Sequence, residues 1–420
     1  MTHLFALAVK SAWNRRLTLG LTLVAIALSV ALLLGVERVR HDARTGFEQS
    51  ISGTDLVIGA RTSPVQLILY AVFRIGEATS NVRWQSFLDV ANHENVAWAI
   101  PLSLGDSHMG FPVLGTSSAY FEHFRYGASQ PLALNTGRPF EGLFEAVIGA
   151  EVADRLGYRE GSRIVLSHGM GDVSLADHGD KPFVVVGVLA RTGTPVDRTV
   201  HVSLESIEAI HLDWQGGAPL PGFSIPAEFV TKFDLNPKAI TAMLVGLKSR
   251  AAVFRMQRYV NEYADEPLLA ILPAVALDQL WQVMGIAERA LFAISGMVVA
   301  VGLTGLIAVI LAGLNERRRE LAILRSVGAR PRDIFFLLMI EGAGITLLGA
   351  LLGVALLSAT IALAAPYATA HYGLAIAPLA LGVAELALLA AVVGVGLLAS
   401  LIPGYRAYRM LLADGLTPRT

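Results

Sequence analysis

Residues 290–315 read ALFAISGMVVAVGLTGLIAVILAGLN, 26 positions without a charge, closed by Arg289 before and Glu316 after. About 20 apolar residues cross the ~30 Å hydrocarbon layer of a bilayer, so this stretch is long enough to span one. Three more stretches qualify. Residues 17–36 carry no charge between Arg16 and Glu37. Residues 334–364 contain one acid, Glu341, and residues 385–405 begin on Glu385 and run apolar to Tyr405. The first apolar run exceeds the 7–15 residues of a signal-peptide core, and Glu37-Arg38-Val39-Arg40 follows it without a clear cleavage site. It reads as an uncleaved anchor.

Composition agrees. Hydrophobic residues make up 54% of the 420, charged residues 16%, and mean hydropathy is +0.56. A soluble protein is about a quarter charged. The 33 basic and 34 acidic side chains leave a net charge of -1, which excludes nucleic-acid binding through overall positive charge. There is no cysteine, so disulfide, thiolate and iron–sulfur chemistry is excluded.

Charge also orients the chain. Lys10, Arg15 and Arg16 precede the first span. Arg317, Arg318, Arg319, Arg325, Arg330 and Arg332 lie between the second and third, and Arg406, Arg409 and Arg419 follow the fourth. Residues 366–384 have no Lys or Arg. The positive-inside rule then places both termini and the 316–333 loop in the cytoplasm. Residues 37–288 and the short link 365–384 fall outside, in the periplasm of a cell with an outer membrane. Residues 1–16 read equally as an amphipathic helix on the inner face and as the start of the first span.

The fold class predicted is thus four transmembrane helices with a large α+β domain inserted between the first and second. Within that domain, residues 55–59, 163–167, 183–189 and 242–247 have the composition of short buried strands. Helical patterns fall at 84–91, 151–156, 204–210 and 251–263, and residues 212–226 read as a long loop or lid. Helical composition continues from the first span to about Gln49, with Arg38 and Asp42 spaced to pair. It also runs without a proline from Asp278 into the second span. Two helices are therefore expected to leave the membrane as a stalk.

Residues 315–329, NERRRELAILRSVGA, read as a short basic helix with Leu321, Leu324 and Val327 on one face. Gly328 is placed to stop it and Pro331 to restart the chain. From the residues alone this is either a docking element for a cytoplasmic partner or a lipid anchor.

The stretch ERRRELAILRSVGA at 316–329 resembles the signature of ABC transporter permeases of the MacB, FtsX and LolC type. So do Glu341-Gly342-Ala343-Gly344 in the third span and Ile402-Pro403-Gly404-Tyr405-Arg406-Ala407 at the end of the fourth. In the external domain, Gly137-Arg138-Pro139-Phe140, residues 147–153 and Val185-Val186-Gly187-Val188-Leu189 resemble the periplasmic core of that family. The resemblance implies a bacterial inner-membrane subunit that works as a homodimer or with a sister permease. It implies that Glu316, Arg317, Arg318, Arg319, Glu320, Leu321, Leu324, Arg325 and Gly328 meet a separate cytoplasmic ATPase. It further implies mechanotransmission, in which ATP-driven closure of the bundle moves the external domain for export or extraction of a substrate. The alternative is a cargo-free regulator of a periplasmic protein such as a cell-wall hydrolase.

No G-x-x-x-x-G-K-[ST] phosphate loop occurs, so ATP and Mg are expected only in the partner. No catalytic motif marks an enzyme. Glu341 is an intramembrane acid, for which a structural or coupling role is expected. Gly344, Gly349 and Gly353 suit close helix packing. His168, Asp172 and His178, with Asp177 and Asp180, are of metal-ligating type. Their spacing matches no defined motif, so they are weak metal candidates in what reads as a solvated loop.

Overall fold

The computed structural model describes residues 16–169, 176–215, 218–220, 224–316, 321, 325–326, 328–372 and 378–409. Two compact units result. One combines the N-terminal segment to Asp42 with everything from Gly285 onward, and the other is Ala43–Met284.

The first unit is built on four long helices, of which the first continues in sequence into the second unit and the second begins there. Helix α1 is Arg16–Gln49, α8 is Pro273–Glu316, α9 is Pro331–Tyr372 and α10 is Val383–Arg409. Each is long and apolar enough to cross a membrane. Helices α1 and α8 outrun their apolar stretches: 34 residues span ~51 Å and 44 span ~66 Å at 1.5 Å each. The expected Arg38–Asp42 pair forms at 2.8 Å.

The bundle core joins Ile26, Val30 and Leu34 to Leu306, Ile310, Leu338 and Ile345. Two of the glycines singled out from sequence sit at close helix contacts in this bundle. A Cβ on Gly349 would come within 2.7 Å of Ile26, and one on Gly353 within 2.7 Å of the Ala27 carbonyl. Gly344 differs from expectation, since the space around it is open. It lies about 200° around the helix from Gly342 at 100° per residue. Gly342 takes the close contact instead, against Ser400. The link expected at 365–384 is shorter than predicted: α9 continues through Pro366 to Tyr372. Proline removes one intrahelical bond, and here it does so within the last two turns.

The second unit is α+β. The strands of its large sheet are β1 Leu56–Ala60, β2 Val96–His108, β3 Phe111–Thr116, β4 Leu134–Gly137, β5 Glu145–Ile148, β6 Arg163–Ile164, β7 Ser167–His168, β8 Ala176–Asp177, β9 Phe183–Leu189, β10 Val200–Ser203, β11 Ala242–Leu247 and β12 Leu268–Ile271. They form one mixed sheet in the order β12-β1-β11-β2-β3-β10-β5-β9-β4, with β7 paired to β2 and β8, and β6 to β9. The pairs β3–β10 and β5–β9 are parallel, while β2–β11 is antiparallel over six residue pairs. The helices are α2 Pro64–Ala71, α3 Trp84–Ala91, α4 Ala119–His123, α5 Ala150–Leu156, α6 Leu204–Ile210 and α7 Val253–Asn261.

Strand residues alternate between faces, so both faces need cover. Val57 and Leu244 point into a core with Leu67, Ile68 and Tyr120. Their neighbours Ile58, Met243 and Val245 point into another with Phe87, Met256 and Val260. Backbone approach explains two glycines of the motifs quoted above. Gly137 has φ +75°, and a Cβ there would collide with the Val186 carbonyl. A Cβ on Gly149 would collide with the carbonyls of Val196 and Asp197.

Candidate functional site

Three places carry the residues singled out from sequence. The first is the segment between α8 and α9. Glu316 ends α8; Arg317, Arg318, Arg319, Glu320 and Leu324 lie outside the described residues. Leu321 is 7% exposed and joins the bundle core with Leu314 and Ile334. It is turned inward, which corrects the expectation that it forms part of an outward docking face: an apolar side chain gains more by completing the core. Arg325 is half-buried and Gly328 has φ +106°. Pro331 opens α9, as the sequence predicts, and the Asp333 carboxylate accepts from the Arg330 backbone N–H at 2.8 Å.

The second place is Glu341, ten residues into α9 and half-buried. Polar groups lie on the neighbouring turns. Thr346 and Ser400 are buried and bond the carbonyls four residues back in their own helices, at 2.9 and 2.8 Å. Further along the bundle, at the level of Gly353, Ser29 of α1 lies 3.3 Å from the Val298 carbonyl of α8.

The third is in the α+β unit. His168 and His178, read from sequence as part of a solvated loop, are not solvated to that degree. His178 is 1% exposed. Asp177 and Asp180 do face solvent, and Asp172 lies outside the described residues. The two histidines meet Asp106 and His211, neither of which the sequence marked. One donor atom from each of the four lies within 4.8 Å of all the others.

Distant segments build this cluster. Asp106 sits near the end of β2, where Gly105 has φ +149° and the β2–β3 register shifts. His168 ends β7, which pairs with β2 so that His168 stands opposite Asp106. His178 follows β8, and His211 caps the C-terminus of α6. His168 Nδ1 is 3.1 Å from Asp106 Oδ1 and 3.3 Å from His211 Nε2. His211 Nε2 is 3.6 Å from Asp106 Oδ1. Trp214 packs on all three imidazoles at centroid distances of 4.5–5.2 Å. The hydrogen bond to Asp106 raises His168 above its ordinary pKa. Burial pushes His178 down to about 4, and the neighbouring His211 adds to it. His178 is therefore neutral at pH 7 and has a nitrogen lone pair.

Beside it lies a buried ion pair. Lys181, 1% exposed, donates to both Asp213 oxygens at 2.9 and 3.0 Å. Asp213 also accepts from the Ile225 N–H at 3.1 Å. Burial alone would raise the Asp213 carboxyl; these bonds outweigh it and hold the group below the ordinary range.

The class is set by four long apolar helices and an α+β domain inserted between the first and second. Residues 19–260 match the MacB-like periplasmic core domain, and residues 292–412 the FtsX-like permease C-terminal domain. The chain belongs to the permease family in which these two are combined. Among curated relatives, it is 26% identical over 217 residues to the lipoprotein-releasing system transmembrane protein LolC of Neisseria meningitidis, covering 51% of this chain and 47% of LolC. It is 25% identical over 254 residues to the pyoverdine export ATP-binding/permease protein PvdT of Pseudomonas entomophila, covering 60% of this chain and 35% of PvdT. The chain thus spans about half or less of each. The solved periplasmic region of MacB from Actinobacillus actinomycetemcomitans aligns with 56% of this chain and 94% of its own, at 10% identity and a TM-score of 0.34.

Proposed function

We propose that the chain is the membrane subunit of an ABC transporter, with ATP and Mg bound by a separate cytoplasmic ATPase. Work is done by movement of the α+β domain on the outer side of the inner membrane. The observation that supports this best is the length of α1 and α8, each one unbroken helix that continues well past its apolar stretch. A continuous helix resists bending, so displacement of its membrane part is passed along its axis. The 316–329 segment would receive the partner's motion and α1 and α8 would carry it outward. The names of LolC and PvdT refer to lipoprotein release and pyoverdine export, and by analogy the substrate here is an extracted or exported molecule. A second copy or a sister permease would complete the bundle.

The test is assembly. Reversing the charges of Arg317–Arg319, or Leu324→Glu, should abolish co-purification with the ATPase while the permease still inserts and folds. Assembly that survives both changes overturns the assignment of the segment. Recovery of a periplasmic hydrolase activated without net transport would favour the regulatory alternative.

A further inference from the structure

We propose that Asp106, His168, His178 and His211 bind one divalent transition-metal ion of the zinc type, independently of the transporter reading.

The argument begins with tautomers. His211 Nδ1 lies 2.8 Å from the Ile207 carbonyl. A carbonyl only accepts, so Nδ1 donates, and in the neutral ring Nε2 is left with a lone pair. That lone pair faces Asp106 Oδ1, which also has only lone pairs to offer, at 3.6 Å, and His168 Nδ1 at 3.3 Å. A proton on His168 Nδ1 can point at Asp106 or at His211, not fully at both. The fourth member is the most exposing of the arrangement: His178 is 1% exposed, yet its Nε2 has no hydrogen-bond partner among the described residues. Leaving a buried polar atom unsatisfied is costly. A single cation accepting all four donors would satisfy the set together.

The spacing suits such an ion. Bonds of about 2.0–2.1 Å arranged tetrahedrally put ligand atoms roughly 3.3 Å apart. Three of the separations are 3.1, 3.3 and 3.6 Å, and the widest is no more than 4.8 Å. Three imidazoles and one carboxylate favour zinc-type ions over calcium or magnesium, which prefer all-oxygen sets. The Ile207 carbonyl on His211 Nδ1–H is the kind of outer partner that fixes a ligating imidazole. Four protein ligands fill a tetrahedral sphere, so the ion would have no open position for catalysis. It would instead tie β7, the turn after β8 and the end of α6 to β2, under Trp214.

The test uses the full-length chain in detergent, without a histidine tag and stripped by a chelator. Titration with Zn²⁺ alone should give one tight site per chain. Co²⁺ substitution should give the intense visible spectrum of a tetrahedral site, and X-ray absorption should count four nitrogen or oxygen donors with imidazole scattering. These two readings need no variant. His211→Ala and Asp106→Asn should each weaken binding beyond the roughly 10–100-fold that loss of an outer partner costs. Each should also remove the rise in melting temperature caused by zinc. Absence of stoichiometric binding by the unmodified chain, a six-coordinate cobalt spectrum, or unchanged binding in both variants would overturn the site.

Discussion

Asp213→Ala tests the energetics of the α+β domain at a buried ion pair. The substitution leaves the Lys181 ammonium, 1% exposed, without its bidentate partner and frees the Ile225 N–H. Breaking a buried ion pair by removing one partner costs about 3–5 kcal/mol. Asp180 lies 2.9 Å from the same ammonium and its side chain is 43% exposed, so the cation retains one solvated partner. The lower end, about 3 kcal/mol, is therefore expected. For a domain of this size each kcal/mol shifts Tm by about 2–4 °C, which gives a fall of roughly 6–12 °C. The assay is thermal unfolding of the full chain in detergent, followed by tryptophan fluorescence and checked by near-UV circular dichroism. The double variant Lys181→Met with Asp213→Leu should recover part of the loss, because no charge is then stranded. A fall of less than about 2 °C for Asp213→Ala would refute the reasoning, since it would mean the pair is hydrated and contributes little.

Gly149→Ala should destabilise the domain by about 1–3 kcal/mol or more, since the new methyl group meets two backbone carbonyls that cannot rotate away; equal expression and Tm would contradict this. His201 is fully buried and pushed down to about 3, first by burial and then by the charge of Arg74. The unfolded chain binds that proton near pH 6.5, so stability is complete above that pH. It is lost as pH falls from about 6.5 toward 3, at up to about 1.4 kcal/mol per pH unit. His201→Phe should flatten this acid limb in denaturant titrations, leaving the contributions of His178 and His108, which burial also pushes down. Because the chain has no cysteine, orientation can be read by single substitutions: Ala128→Cys should react with an impermeant maleimide on intact spheroplasts, and Ser326→Cys only after permeabilisation. The reverse pattern would contradict the positive-inside assignment.

The membrane helices were legible because the signal is one-dimensional: a run without charge, long enough to span, bounded by arginines. Local helices with a clear period were legible too; Trp84–Ala91 and Leu204–Ile210 lie where the pattern placed them. The longest strand was not. Val96–His108 contains Pro101, Gly105 and Asp106, residues that usually break strands, and only pairing with β11 and β3 makes it one. The histidine cluster was half-legible. His168 and His178 are ten residues apart in a polar segment, whereas Asp106 and His211 arrive through β2 and the cap of α6. Nothing in local spacing announces a site assembled from four segments. A possible signal was the histidine content itself: His168, His178 and His211 fall within 44 residues of a chain with ten histidines. Gly344 was misplaced by two residues in register, enough to move it to another face of α9.

The central claim is tested most directly by purifying the chain from native membranes in mild detergent, with an ATP analogue present, and identifying what accompanies it by mass spectrometry. An ATPase assay on a parallel eluate prepared without the analogue completes the measurement. The account predicts a small ATPase with a phosphate loop, in stoichiometric amount, and nucleotide hydrolysis that Leu324→Glu removes. Folded permease recovered without any such ATPase would contradict it.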